Sequence, residues 1–279
     1  MVKEVTEVFE KTDTGTTDPL IGIIDKKQVI IKISKNPYGP RVLINEFVCL
    51  EIAKLLELPI AEGGICSITK NTNIDDLMYY ELCLNDVEGL CFYSEKLDRV
   101  IEFIDLSPEL ANKVLNKNDI VRLILFDHFI HNKDRHDGNV LLCYAKNSNS
   151  NILFNIIDHS HVFNMMDGWA EVRREEYNEY YILEENEDVY RNFYGVVDIN
   201  LEVLMNEARI FKDKLNRESI LNILNKIPCS LIQNEEKESI LGYLLHRLNI
   251  IDEICKFIYE KISCSGGEVD ENSFFCTNI

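Results

Sequence analysis

The sequence predicts an α+β fold of two unequal lobes. A β-rich front lobe with one helix is expected over residues 1–95, and a larger, mainly helical rear lobe over 96–279, together one domain with a ligand-sized cleft between them. Three observations predict it. Ile- and Val-rich runs split by a polar turn crowd the first 35 residues. A helical apolar repeat dominates from residue 201 onward. Hydrophobic residues make up 46% of the 279, ample for a packed core.

The elements follow in order. Residues 20–25 and 28–34 read as an antiparallel hairpin turning at Asp25-Lys26-Lys27. Before it, residues 12–19 form a loop of small hydroxyl residues, and after it Asn36-Pro37-Tyr38-Gly39-Pro40 forms a turn. Ile44, Phe47, Val48, Ile52, Leu55 and Leu56 recur at helical spacing, so a helix is expected over 42–56, stopping before Pro59. Residues 64–68 read as a strand, and 75–100 have no clear period. Residues 119–130 are apolar nearly all round, which predicts a buried central helix. Two short strands, 140–144 and 152–157, flank the polar turn 146–151. Two amphipathic helices are expected over 201–227 and 235–262, then a loose tail from 263. There is no internal repeat and no low-complexity linker.

Composition narrows the function. The chain carries 29 Lys+Arg against 48 Asp+Glu, a net charge of -19. A nucleic-acid binder needs a basic footprint, so direct nucleic-acid binding is not expected, nor is attachment to an anionic membrane. No apolar run is long enough to span a bilayer, and the N-terminus lacks the apolar stretch of a signal peptide. The nine cysteines include no C-x-x-C pair, and several sit in apolar runs. Reduced thiols in a cytoplasmic protein are expected.

Polar chemistry concentrates in Asp127-His128-Phe129-Ile130-His131-Asn132-Lys133-Asp134-Arg135-His136-Asp137-Gly138-Asn139, between the central helix and a strand. A well hydrogen-bonded buried turn would explain part of it. A second segment, Asn155-Ile156-Ile157-Asp158-His159-Ser160-His161, ends a strand in Asp158, which alone could be a turn or cap residue. The two segments flank one hairpin, so Asn139 and Asp158 can converge. An amide oxygen and a carboxylate are hard ligands suited to Mg²⁺. Asp134, five residues before Asn139, can then orient or deprotonate a hydroxyl nucleophile, the layout that phosphoryl transfer requires. Lys32, in the apolar strand Val29-Ile30-Ile31-Lys32-Ile33, points either to solvent or into the cleft. Glu46, on the apolar side of the next helix, needs a cation, and Lys32 is the candidate. Such a pair sets a ligand for the ATP phosphates in kinases. Thr14-Gly15-Thr16-Thr17 would cover those phosphates, although one glycine makes a weak phosphate loop. His128 and His131 are better read as satisfied core histidines than as metal ligands.

Asn132-Lys133-Asp134-Arg135-His136-Asp137-Gly138-Asn139 resembles the N-x-D-R-H-x-x-N catalytic loop of HipA-like kinases, and Ile157-Asp158-His159 is similar to their I-D-H. Residues 36–46 look like their N-P-x-G-P-x-x-L-x-N-E stretch, and Leu56-Glu57-Leu58-Pro59 like L-x-L-P. Gly89-Leu90-Cys91-Phe92-Tyr93-Ser94 resembles another short block of these proteins. The resemblance implies a bilobal protein-kinase-like fold and ATP- and Mg²⁺-dependent transfer to an unidentified protein acceptor, at Ser or Thr. It implies Asp134 as catalytic base, Asn139 and Asp158 as Mg²⁺ ligands, and Lys32 held by Glu46 on the phosphates. Arg135 and His136 would organise the catalytic loop from beneath. Larger HipA proteins add an N-terminal subdomain and pair with a DNA-binding antitoxin. Kinase motifs begin near residue 12 here, so that subdomain is not expected, and a toxin–antitoxin role does not follow.

Two other readings compete. His136-Asp137 could belong to a metal-dependent HD phosphohydrolase, but it sits in a loop and leaves Lys32 and Glu46 unused. The chain could also be a catalytically silent kinase fold that binds nucleotide. Every catalytic position is filled, which argues against that. The acidic, Tyr-rich stretch 169–194 reads as a solvated, partly helical surface anchored by its tyrosines, with a substrate-facing segment as the alternative.

Overall fold

The computed structural model describes residues 2–12, 15–101, 106–145, 148, 150–163, 179–182 and 184–265. The front lobe is built on a six-stranded sheet. Its strands are β1 (Lys3–Glu4), β2 (Glu7–Lys11), β3 (Leu20–Ile24), β4 (Lys27–Ile33), β5 (Gly63–Ile68) and β6 (Gly89–Glu95), in the order β1-β5-β6-β4-β3-β2. Only the β1–β5 pair is parallel.

The β3–β4 hairpin turns on two residues, Asp25 and Lys26, with φ of 51° and 67°. Two successive left-handed residues make the turn whose twist matches that of the strands. Ile24 then pairs with Lys27 and Gly22 with Val29, and this register puts Lys32 opposite Phe92. A Cβ at Gly22 would lie 2.4 Å from the Glu7 carbonyl oxygen, so β2 and β3 can approach only over a glycine.

Helix α1 (Arg41–Leu55) starts just after Pro40 and is buried on nearly every side. It packs on the sheet, but its apolar residues belong to the same core as the rear lobe, while Val5, Val8, Leu20, Val29, Ile31 and Cys66 join a second, smaller core in the sheet. The expected boundary at 95 falls at the end of β6, and α1 ties the two parts together. The unassigned region 75–100 holds a 3₁₀ turn at Asp75–Tyr80, the short helix α2 (Leu84–Val87), β6 and the start of β7 (Val100–Ile101).

In the rear lobe, α3 (Pro108–Lys113) precedes the buried α4 (Asp119–Ile130), which has the bounds the sequence predicts. His131 ends α4 in a left-handed conformation at φ 52°. Strand β7 pairs with β8 (Val140–Tyr144), and β8 with β9 (Ile152–Ile156), one residue shorter than expected. Helix α5 (Glu184–Arg191) lies in the Tyr-rich stretch; Trp169 and Tyr177 fall outside the described residues.

Each expected long C-terminal helix is two helices. The first divides into α6 (Leu201–Lys214) and α7 (Arg217–Leu224), the second into α8 (Asn234–Asn249) and α9 (Ile251–Ser265). The first break has a local cause. Asn216 Oδ1 accepts the Ser219 N–H at 3.0 Å, and Ser219 Oγ accepts the Asn216 N–H at 2.9 Å. That reciprocal cap starts a new helix inside an unbroken apolar period. The tail expected to be loose from 263 is helical through Ser265, and the rest lies outside the described residues. Among the described residues no helix is long and apolar enough to cross a membrane, and all eight described cysteines are free.

Candidate active site

A cleft of about 920 Å³ opens between the sheet and the rear lobe. Ile30, Leu50, Phe92, Leu141 and Ile156 form its apolar wall, and Lys32, Asp134, Asn139 and Asp158 its polar end. The lobes are stitched at the floor, where the Ile156 N–H donates to the Pro59 carbonyl at 2.8 Å.

Lys32 points inward. Register fixes its face, and at 7% exposure it is a buried cation. Its ammonium donates to Glu46 Oε1 at 2.5 Å and Ser160 Oγ at 2.9 Å, and pairs with Asp158 Oδ1 at 2.8 Å. An ammonium has three donors and here has three acceptors. Burial works against its charge, but Glu46 and Asp158 prevail and push its pKa up to about 12. Asp158, at φ 56°, bends the chain after β9. Burial acts to raise its pKa, yet Lys32 and the Ser160 hydrogen bonds hold the carboxyl well below the usual carboxylate range.

The catalytic-loop candidate hangs on one buried arginine. Arg135 Nε donates to Asp127 Oδ2 at 3.0 Å and Nη2 to Asp127 Oδ1 at 3.1 Å, with both side chains at zero exposure. Its Nη1 donates to the carbonyls of Asn139 and Ile157, each at 2.8 Å. One guanidinium therefore holds the ends of both segments that flank the β8–β9 hairpin, which is how Asn139 and Asp158 come to share a cleft wall. Asp127 also accepts from Asn132 Nδ2 and Tyr190 OH, each at 2.9 Å. Tyr190 thus anchors the Tyr-rich stretch to the site.

Asp134 is placed by its backbone. Its N–H donates to Asn132 Oδ1 at 3.0 Å, and its carbonyl accepts from Asn139 Nδ2 at 2.6 Å. Among the described residues no hydrogen bond or ion pair engages its carboxylate. The bond from Nδ2 also orients the Asn139 amide, leaving Oδ1 as the atom free to accept a cation. That oxygen and the second oxygen of Asp158, both on the cleft wall, are the hard donors a Mg²⁺ ion takes, so the residues present fit the metal.

Some expectations are corrected. His136 does not pack beneath the loop. Its side chain is about half exposed, lines the cleft and caps the 3₁₀ turn Asp137–Asn139 by accepting the Gly138 N–H at 3.1 Å. Arg135 alone takes the buried place. In the loop expected to cover phosphates, Gly15 (φ 101°) and Thr16 line the cleft, but Thr17 is buried at 2% exposure and is not part of the wall; Thr14 lies outside the described residues. Thr12, which the sequence did not single out, does line it.

The sequence reading also missed His159 and Ser160 as site residues. His159 Nε2 sits 2.9 Å from Arg135 Nη2, which can only donate, so Nε2 accepts and the proton is on Nδ1, 4.0 Å from Glu46 Oε2. Burial, with Arg135 beside it, pushes its pKa well below the ordinary value, so the ring is neutral. The ring accepts from Arg135 and faces the α1 carboxylate at a distance too long for a hydrogen bond.

His128 and His131 are core residues: His128 Nδ1 bonds the Ile124 carbonyl and His131 Nε2 the Tyr181 carbonyl, each at 2.9 Å. Among the described residues no group of three or more His, Cys, Asp or Glu side chains could hold a metal.

A strand lysine buried against a helix glutamate, at the same end of a cleft as an Asp…Asn…Asp set, marks a kinase-like protein. Residues 5–194 match the HipA-like kinase family, and the chain belongs to that family. Solved structures agree on the fold. The chain is similar to the Helicobacter pylori proinflammatory kinase CtkA, at 12% identity and a TM-score of 0.58, covering 94% of this chain and 99% of that one. It is also similar to Shewanella oneidensis MR-1 HipA, solved with HipB and operator DNA, at 15% identity and a TM-score of 0.53, covering 89% of this chain and 67% of that one. No curated protein sequence matches significantly.

Proposed function

We propose that this protein, one kinase-like domain of lobes 1–95 and 96–279, transfers the γ-phosphoryl group of ATP to the hydroxyl of a protein Ser or Thr. The observation that carries this reading is the buried Lys32–Glu46 pair at 2.5 Å, set in the same cleft as Asp134, Asn139 and Asp158. Burying two charges is costly, and the pair is explained by a phosphate that the lysine must meet.

In this reading the apolar wall takes the nucleobase, Lys32 takes the phosphates, and Gly15 and Thr16 cover them. Asn139 and Asp158 would hold Mg²⁺, which would supply neutralisation of phosphate charge. Asp134, whose carboxylate has no partner among the described residues, orients the acceptor hydroxyl and receives its proton. Arg135 and His136 hold the loop, from below and from its rim. The acidity of the chain favours an acceptor with a neutral or basic surface.

The test is transfer of label from ATP with Mg²⁺, to the chain itself and to a basic protein acceptor. Wild type transfers and Asp158→Ala does not. Full activity in Asp158→Ala sinks the assignment. Binding of an ATP analogue without transfer to any acceptor favours the catalytically silent reading.

A further inference from the structure

Ser160 lies two residues beyond Asp158 and is almost fully buried. Its Oγ accepts from Lys32 at 2.9 Å and donates to Glu46 Oε1 at 3.0 Å, so one hydroxyl closes a triangle with the 2.5 Å Lys32–Glu46 contact. Its backbone is fixed as well: the carbonyl accepts from Asn45 Nδ2 at 2.7 Å and the N–H donates to Asp158 Oδ1 at 3.1 Å. Sequence neighbours of Lys32 or Glu46 could not supply this hydroxyl, which comes from 114 to 128 residues away in the chain.

The triangle bears on a conflict within the site. Lys32 is also 2.8 Å from Asp158 Oδ1, so the lysine and a divalent cation on the second oxygen would share one carboxylate. The two cations compete for that charge, and for Lys32 to turn to a phosphate its ion pair with Asp158 must be exchanged. The Glu46 and Ser160 contacts can persist through the exchange, and they set how tightly the lysine holds Asp158.

We propose that Ser160 is a positioning residue that holds the Lys32 ammonium on Glu46 and so releases Asp158 to the metal–nucleotide complex. The proposal rests on the kinase reading of this site. Without the hydroxyl, one ammonium donor in a buried site loses its acceptor, and Glu46 loses a donor. Lys32 then leans on Asp158, and the metal must compete harder for it.

The experiment is a Mg²⁺ titration of wild type, Ser160→Ala and Ser160→Thr with two readouts. One is calorimetric binding of a non-hydrolysable ATP analogue. The other is phosphoryl transfer. In Ser160→Ala the Mg²⁺ needed for half-maximal analogue binding rises about tenfold, the size of one charge-assisted hydrogen bond, and transfer at limiting Mg²⁺ falls with it and recovers as Mg²⁺ is raised. Ser160→Thr, which keeps the hydroxyl, returns the requirement towards that of wild type. Thermal melting confirms that the alanine variant is folded. The same Mg²⁺ requirement in wild type and a folded Ser160→Ala overturns the proposal, as does a kcat loss that no Mg²⁺ concentration recovers. Failure of wild type to bind the analogue at any Mg²⁺ concentration overturns instead the kinase reading beneath it.

Discussion

The Lys32 ammonium lies 2.8 Å from Asp158 Oδ1, joining β4 of the front lobe to the bend after β9 in the rear lobe. With Glu46 on its other side, Lys32 neutralises two carboxylates in one buried pocket. Lys32→Met removes the cation and keeps the stem. Apparent ATP affinity falls by about tenfold or more, the worth of a charge-assisted contact, and equilibrium binding of a labelled nucleotide measures it.

The same pair makes a pH prediction. The folded pKa of Lys32 is raised from 10.5 to about 12. The stability it contributes is present in full below 10.5 and is lost as pH rises towards 12. Wild type is the more stable protein at neutral pH, and its Tm advantage over Lys32→Met narrows across that alkaline window. A constant difference from pH 9 to 12 contradicts the assigned partners.

Arg135 and His136 are neighbours with opposite expected roles. Removing one partner of a buried pair costs about 3–5 kcal/mol, so Arg135→Ala is severely destabilised in urea unfolding. Arg135→Lys is also destabilised, because a point charge cannot serve Asp127, two carbonyls and His159 together. His136→Ala, losing an exposed cap to Gly138, costs only about 0.5–1 kcal/mol.

His131 gives the acid limb. Burial, with Arg247 and Lys133 nearby, pushes its pKa down to about 4, against the opposing pull of Glu179. The unfolded chain takes up a proton at its ordinary 6.5 and the folded one does not, so stability falls as pH drops from 6.5 towards 4. His131→Asn keeps a residue that tolerates the left-handed helix end at φ 52°. Its urea stability is expected to change less between pH 6.5 and 4 than that of wild type.

Legibility in the sequence followed how local each feature is. The β3–β4 hairpin and α4 were readable because their apolar residues and their ends are adjacent in the chain. Lys32 with Glu46, and Asn139 with Asp158, were readable because few residues could answer a buried charge or flank a hairpin. The break at Asn216 was missed because the apolar period runs through it, although Asn216-Arg217-Glu218-Ser219 has the spacing of a reciprocal cap. Thr17 looked like a loop hydroxyl, and only packing shows it turned inward. His159 and Ser160 were missed as site residues because their partners lie 24 to 128 residues away. Those contacts form only on folding, although His159 already belongs to the Ile157-Asp158-His159 stretch.

The central claim is that Asp134 serves an acceptor hydroxyl in a cleft that already binds Mg²⁺–ATP. Asp134→Asn keeps the backbone bonds to Asn132 and Asn139 and alters only the carboxylate. The measurement is single-turnover transfer from labelled ATP alongside analogue binding. The account predicts unchanged binding and a rate lower by about 10²–10⁴, the range of a general base. Transfer by Asp134→Asn at the wild-type rate would contradict it.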